Sequence, residues 1–168
     1  MVNRLSGDGF VVCSDGHTRW GRFGAAGMVF VLRPGAMSVP DPGSLPPSGT
    51  VCLQLRSRFA HEGGTWSCPG GALDEGETPF EGAWRESGEE IGIPPEPWRL
   101  LGEHVFEPAT DWRYTTSVVE VARPFGSSLN FETDEVAWVP LGEVDRLPLH
   151  PGFAAAWPHL RAIIDAAA

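Results

Sequence analysis

The fold is decided by the stretch GALDEGETPFEGAWRESGEEIGI, which spans Gly71–Ile93. Thr78 can cap a helix, the proline after it suits the first helical position, and Glu81 completes a capping box. Gly92 suits the residue just past a helix end, and the two prolines that follow Ile93 bar continuation. The pattern therefore predicts a helix that begins after Thr78 and stops near residue 91.

Three carboxylates share one narrow face of this predicted helix. At roughly 100° per residue, Glu89 lies about 60° to one side of Glu86 and Glu90 about 40° to the other. Each such like-charge pair costs about 0.2–0.5 kcal/mol, and the helix dipole disfavours anions in the last turn. A solvated acidic face is one interpretation. A hard cation such as Mg²⁺ is the other, because it takes carboxylate oxygens, waters and substrate phosphates as ligands.

Bound Mg²⁺ would also activate a water that could attack phosphorus, and one of the carboxylates could take the proton. This chemistry predicts hydrolysis of a phosphate–phosphate bond in a nucleotide-like substrate.

The spacing of the fixed residues resembles the Nudix box, and the WSCPGG segment before it is similar to the approach found in many members. The one departure is Ser87, where the family usually has an apolar residue. Ser87 is expected to point away from the carboxylates, so the change should affect helix packing more than chemistry. The matching positions are Gly71, Glu77, Arg85, Glu86, Glu89, Glu90, Ile91, Gly92 and Ile93.

The resemblance implies a fold, a cofactor and a set of site residues. Nudix hydrolases cleave nucleoside diphosphates linked to another moiety, using Mg²⁺ or Mn²⁺. Their α+β fold is an α/β/α sandwich, a mixed β-sheet with helices on both faces. It would cover residues 1–168 as a single domain. By position, the implied metal ligands are the carbonyl of Gly70 with Glu86, Glu89, Glu90 and a downstream acid, Glu132, with Glu135 close behind. Arg85 would orient the carboxylates and Glu77 would support the loop–helix junction, while the identity of the general base stays open.

Segments outside the box resemble an actinobacterial MutT-like group linked to cleansing oxidised guanine nucleotides such as 8-oxo-dGTP. These segments include Trp20–Gly27 and Leu147–Phe153. The MutT guanine pocket uses a Phe just before Pro-Gly-Gly and an Asn in a C-terminal loop. Cys68 and His150 stand at those places here, so the resemblance implies a nucleoside triphosphate and leaves 8-oxoguanine specificity open.

Further candidate substrate contacts come from residue type. Arg56 and Arg58 could grip phosphates as planar forks, or could be solvated surface residues. Gly71 would lie against the substrate, His150 would contact a base or be a solvated loop residue, and Cys68 is expected to be a small packed residue. Aromatic faces can stack on bases, but core packing is the expected role of Trp66, Trp112 and Tyr114.

Two other functions compete with triphosphate hydrolysis. Pro108 lies fifteen residues beyond Ile93, a feature similar to ADP-ribose pyrophosphatases of the family, which makes ADP-ribose the alternative substrate. A non-catalytic Nudix-like nucleotide sensor is an alternative of another class. Such domains usually lose carboxylates of the box, and every one is present here.

Composition limits the partners. The net charge of −10 argues against binding a nucleic acid polymer, so a small-molecule nucleotide is the expected partner. Three sparse cysteines predict neither a disulfide framework nor a zinc site, and no apolar run is long enough for a membrane span or a signal peptide. We therefore expect a cytoplasmic protein that does not associate with membranes. The oligomeric state stays open.

Hydrophobic patterning predicts the remaining elements. They are a hairpin of Phe10–Cys13 and His17–Phe23, a strand buried on both faces at Ala25–Leu32, a Pro/Gly-rich loop at 33–50, a half-buried strand from Val51, strands at Leu100–Phe106, Tyr114–Val121 and Val136–Val139, and a terminal helix at Gly152–Ala167.

Overall fold

The computed structural model describes residues 4–35 and 45–167, and within them nine strands and two α-helices form. A short 3₁₀ helix, Val144–Arg146, precedes the second α-helix. The elements are β1 Phe10–Val12, β2 Thr18–Trp20, β3 Ala25–Leu32, β4 Thr50–Arg56, β5 Trp66–Ser67, β6 Gly70–Ala72, α1 Pro79–Glu90, β7 Trp98–Ala109, β8 Trp112–Val121, β9 Thr133–Pro140 and α2 Pro151–Ala166.

Seven of the strands form one mixed sheet in the order β5-β4-β3-β8-β7. β3 and β8 are parallel, and the other pairings are antiparallel. β6 pairs with the start of β3 and β9 pairs with β4, so the sheet branches at both central strands. β1 and β2 form a separate hairpin, as the sequence predicts.

Each face of the sheet is covered by one helix, which confirms the predicted sandwich. Successive strand residues point to opposite faces. On β3, Val29 and Val31 pack in a core with Phe153 and Trp157 of α2, whereas Met28 and its even-numbered neighbours pack in a second core with α1. β3 is therefore buried along its whole length, as predicted.

The ends of α1 follow the predicted capping pattern. The Thr78 hydroxyl accepts from the Glu81 amide at 3.2 Å, and the Glu81 carboxylate accepts from the Thr78 amide at 2.8 Å. Ile91 is the C-cap, and Gly92 has a φ of 109°, a conformation that favours glycine. The acidic residues are thus carried on a helix with defined ends.

The structure corrects several predicted elements. β4 is not half-buried, because β3 and β9 flank it and a helix covers each face. Cys52 and Gln54 are buried like Leu53, the apolar residue between them. β7 and β9 are longer than predicted, and β5 and β6 were missed because each is only two or three residues long. Thr50, assigned to the loop 33–50, belongs to β4, and residues 36–44 of that loop lie outside the described residues.

Ser87 occupies the helix face that packs on the sheet and is fully buried. Its hydroxyl donates to the Ala83 carbonyl at 2.7 Å, so the polar group is satisfied within the helix. The departure from an apolar residue therefore leaves no unpaired donor in the core.

Candidate metal and nucleotide site

Arg85 ties α1 to the loop that precedes it. Its Nε and Nη2 each donate to the Glu77 carboxylate at 3.0 Å, and Nη2 also donates to the Ala72 carbonyl at 3.0 Å. Nη1 donates to Glu86 Oε1 at 2.6 Å. Bidentate pairing of this kind fixes orientation as well as distance. Arg85 and Glu77 thus join α1 to the loop that precedes it.

The Glu77 carboxylate lies inside this junction, with its side chain only 4% exposed. Burial by itself raises its pKa, but the hydrogen bonds from Arg85 and from the Asp74 amide outweigh burial and lower the pKa overall. Gly82 has a packing role in α1, since a Cβ there would collide with Leu73 and lie 3.0 Å from Glu77 Oε2. The glycine lets the loop pack against the helix.

Glu90 is the most buried carboxylate of the acidic face. Its Oε2 accepts from the Gly70 amide at 3.0 Å and from Gln54 Nε2 at 3.1 Å. The pKa of Glu90 is raised to about 7: burial is the main cause, the two hydrogen bonds oppose it, and the charges of Glu86 and Glu132 add to it. A carboxyl group held near neutrality in this way can exchange a proton at ordinary pH.

Glu86 lies beside Gly71, the neighbour of Gly70. A Cβ on Gly71 would lie 2.6 Å from Cδ of Glu86, so the carboxylate occupies space that only glycine leaves free. Burial raises the pKa of Glu86, and the hydrogen bond from Arg85 only partly opposes that effect. Gly71 therefore allows this carboxylate to lie against the backbone of β6.

The carboxylates are not gathered into a finished cluster. Among residues 4–35 and 45–167, no group of three His, Cys, Asp or Glu side chains is arranged to hold a metal ion. The Glu89 side chain is 61% exposed and lies 3.7 Å from Arg85, while Arg85 also draws one oxygen of Glu86. Glu132 is exposed, in the turn before β9, although its charge reaches Glu90.

The carboxylate oxygens of these residues nevertheless suit Mg²⁺ or Mn²⁺ as ligands. Within the part of the chain described, Glu86 Oε2 and Glu90 Oε1 accept no hydrogen bond from protein. Glu89 and Glu132 are exposed and free to turn inward. All four groups supply hard oxygen ligands, the kind that these cations prefer. The Gly70 amide binds Glu90, which places this residue at the site.

Cys68 and Tyr114 lie close to Glu90 and Gly70. A Cβ on Gly70 would lie 2.7 Å from the Tyr114 hydroxyl, and both Tyr114 and Cys68 lie against Gly27. Burial, and then the charge of Glu90, raises the pKa of Cys68 to about 12. The thiol is therefore neutral and packed, as expected, and Tyr114 is half-buried beside the site.

Arg56 and His150 lie close enough for the charge of Arg56 to reach His150. Burial, followed by the charge of Arg56, lowers the pKa of His150. Its Nδ1 accepts from the Gly152 amide at 3.1 Å and caps α2, so His150 is a helix cap and not a free loop residue. Arg56 donates from Nε to the His61 carbonyl at 3.0 Å, while Arg58 is exposed on the adjoining loop.

Two of the three candidate aromatic residues lie away from the carboxylates. Trp112 is buried under the β1–β2 hairpin, where Nε1 donates to the Gly21 carbonyl at 3.1 Å. Trp66 packs on the α2 side of the core and bonds through its backbone to Pro148 and His150. Core packing is thus the observed role of Trp112 and the main role of Trp66.

Sequence reasoning missed Gln54 and Thr133. Gln54 is 2% exposed and links Glu90 to the Thr133 hydroxyl, which donates to Gln54 Oε1 at 3.0 Å. Alternation along β4 assigned Gln54 to a solvated face, because the sequence does not show that both faces are covered. A glutamine in an otherwise apolar strand was the available signal, since a buried amide needs partners.

Comparison with known proteins identifies the family. A NUDIX domain model matches residues 44–161. The chain belongs to the Nudix family. It is 42% identical over 163 residues to a Mycobacterium tuberculosis protein named "Putative 8-oxo-dGTP diphosphatase 3". The aligned residues cover 94% of this chain and 70% of that protein. A MutT-like protein from Streptomyces ambofaciens is 30% identical over 74% of this chain and 90% of its own length.

The solved structures agree with this membership. The Nudix hydrolase RenU from M. smegmatis superposes with a TM-score of 0.79 and 37% identity, over 95% of this chain and 96% of RenU. This Nudix hydrolase accordingly has the predicted α+β sandwich and acts on acid anhydrides of nucleotides. Within residues 4–35 and 45–167, neither helix is long and apolar enough to cross a bilayer.

Proposed function

We propose that this Nudix hydrolase is a Mg²⁺-dependent pyrophosphohydrolase of a nucleoside triphosphate, 8-oxo-dGTP or a related (d)NTP. The observation that carries the proposal is the pair Glu86 and Glu90 on α1. The Glu90 carboxylate accepts from the Gly70 amide and the Glu86 carboxylate lies against Gly71, so both reach the same glycine pair. The name of the M. tuberculosis relative supports the substrate class.

Glu86, Glu89, Glu90 and Glu132, with the Gly70 carbonyl, are the residues proposed to hold the cation. When bound, Mg²⁺ neutralises phosphate charge and makes a coordinated water more acidic. Arg85 positions Glu86 through Nη1 and keeps the helix fixed on Glu77. Burial raises the pKa of Glu90 to about 7 in the metal-free protein, and a bound cation would favour its ionised form, which is the form that serves as a ligand.

The region around Arg56, Arg58 and His150 is proposed to hold the nucleoside and the remaining phosphates. His150 uses Nδ1 as an acceptor in the α2 cap, which leaves the proton on Nε2 and makes that atom a donor toward a ligand. Arg56 and Arg58 are cations for the phosphates, and Arg56 keeps both Nη groups free of bonds among the described residues. Gly71 and Cys68 are small residues that are proposed to lie against the substrate.

A substrate panel with product analysis tests this function. Purified protein with Mg²⁺ or Mn²⁺ is given 8-oxo-dGTP, dGTP, other triphosphates, ADP-ribose and dinucleoside polyphosphates. The expected result is release of phosphate or pyrophosphate from a triphosphate, abolished by EDTA and restored by Mg²⁺. Glu90→Gln protein serves as the inactive control for contaminating phosphatases.

Other outcomes would redirect the assignment. Preferred cleavage of ADP-ribose to AMP and ribose phosphate would refute the triphosphate proposal. Pro108 gives no support to that outcome here, because it lines a cavity with Ser14, Asp15 and Thr110, and none of the candidate metal ligands lines that cavity. Binding without turnover across the whole panel would instead indicate a nucleotide sensor.

A further inference from the structure

A chain of three buried polar side chains ends at Glu90. Thr133 Oγ1 donates to Gln54 Oε1 at 3.0 Å, and Gln54 Nε2 donates to Glu90 Oε2 at 3.1 Å. All three residues are at most 5% exposed. An amide in this position has one orientation that satisfies both neighbours, because the carboxylate can only accept when ionised. The ionised carboxylate therefore selects the amide orientation, the Thr133 hydroxyl holds the amide in it by donating to Oε1, and the amide in turn holds one oxygen of Glu90.

A β-bulge brings Thr133 to this position. β9 pairs with β4 in regular register from Thr50↔Pro140 to Leu55↔Glu135, but the next pair is Arg56↔Thr133, which leaves Asp134 as an extra residue. Side chains alternate along a strand, so in a regular register Thr133 would point to the opposite face from Gln54. The bulge reverses that alternation, and bulges commonly re-aim a side chain beside an active site.

We propose that Gln54 and Thr133 are positioning residues that hold the Glu90 carboxylate with Oε2 turned into the protein and Oε1 presented to the metal. The inference rests on the proposed metal-dependent function. Glu90 is supported by two donors, the Gly70 amide and Gln54 Nε2, and both bonds go to Oε2. Oε1 is thereby left as the oxygen available for a cation, without a search among side-chain rotamers.

The arrangement explains why a polar chain is retained in a buried strand. A buried amide without both partners would cost about 1–3 kcal/mol, and a hydrocarbon side chain would avoid that risk. Groups that hydrogen-bond to a metal ligand typically change metal affinity or activity by about 10–100-fold when they are removed. The chain from Thr133 to Glu90 has the geometry of such a support.

Thr133→Val tests the inference, because it removes the hydroxyl with little change of shape. The measured quantity is the Mn²⁺ dissociation constant of the substrate-free protein, from the EPR signal of free Mn²⁺, with kcat and KM determined separately. We expect affinity to fall about tenfold. Thr133→Ser should restore it, since the serine hydroxyl can still donate to Gln54. Gln54→Met, which removes the amide at similar length, should weaken binding at least as much.

Thr50→Val is the matched control. Thr50 lies on β4 and is also buried, but its hydroxyl has no hydrogen-bond partner among the described residues. It should leave Mn²⁺ affinity unchanged. Unchanged affinity in both folded Thr133→Val and Gln54→Met would overturn the inference, as would a failure of serine to rescue. Wild-type affinity that depends on Glu90 but not on Thr133 contradicts this inference alone. Wild-type protein that binds no Mn²⁺ contradicts the proposed metal site and this inference with it.

Discussion

The Glu86 carboxylate occupies the space where any side chain on Gly71 would have to be. A Cβ at Gly71 would lie 2.6 Å from both Cδ and Oε2 of Glu86. The glycine of the motif is thus required by a neighbour in space, fifteen residues along the chain, and not by a left-handed backbone. A side chain at position 71 should therefore disturb the Glu86 carboxylate without disturbing the fold.

Gly71→Ala should displace the Glu86 carboxylate while the protein stays folded, since the atoms in contact are the far end of a flexible side chain. We expect kcat/KM to fall about tenfold or more, with a change in unfolding free energy within about 1 kcal/mol. Gly142→Ala is the control, because nothing lies within 4 Å of the added Cβ. Full activity of Gly71→Ala would contradict the role given to Glu86.

Glu90→Gln should lower kcat/KM by at least about 100-fold, because the amide cannot act as an anionic ligand or accept a proton. Its circular dichroism should match that of the wild type. Glu143→Gln, which removes only an exposed pair with Arg146, should retain activity. Retained turnover in Glu90→Gln would refute the function assigned to this carboxylate.

The stability of the metal-free protein should depend on pH through Glu90. Its pKa is about 7 in the folded protein and 4.5 ordinarily, so between these values the native state holds a proton that the unfolded chain has released. Stability from this group is therefore lost as pH rises through that window, by about 3 kcal/mol in all. In urea titrations with EDTA, Glu90→Gln should gain stability over the wild type from pH 5 to pH 8. A difference that does not vary with pH would contradict the raised pKa.

Arg85→Lys should destabilise the protein by about 1–3 kcal/mol, since lysine cannot reproduce the two-pronged bond to the buried Glu77 carboxylate. Activity should fall as well, because Glu86 loses its partner. Arg146→Lys, at an exposed pair, should change stability by no more than about 0.5 kcal/mol. Equal effects of the two substitutions in chemical denaturation would argue against the junction.

A buried ion pair away from the site predicts a purely structural effect. Arg33 bonds to Glu120 at 2.7 Å and to the carbonyls of Ile164 and Ala167 at the end of α2. Arg33→Met should cost about 3–5 kcal/mol, because Glu120 is fully buried. Arg99→Met should cost about 1 kcal/mol, since Arg99 is half exposed. Both variants should keep wild-type kcat at 15 °C; a selective loss of kcat would show that this pair also affects the site.

The sequence by itself determined the local features of this protein. Thr78, Glu81 and Gly92 define α1 through capping, which depends on residues three or four positions apart. The pattern of Gly71, Glu77, Arg85 and the glutamates indicated the family and so the sandwich fold. These features depend on residues that are close together in the sequence, so the sequence suffices to predict them.

The tertiary structure alone decided how unlike the three glutamates are. Helical geometry places them on one face, but in the folded protein Glu90 is buried against Gln54 and Gly70, Glu86 lies beside Gly71 and Glu89 is exposed. The burial and the pKa of a side chain depend on which strands surround it. The alternation of apolar and polar residues along β4 does not show that β4 pairs with both β3 and β9. Gln54 and Thr133 became site residues for that reason, through one bulge that joins segments 79 positions apart.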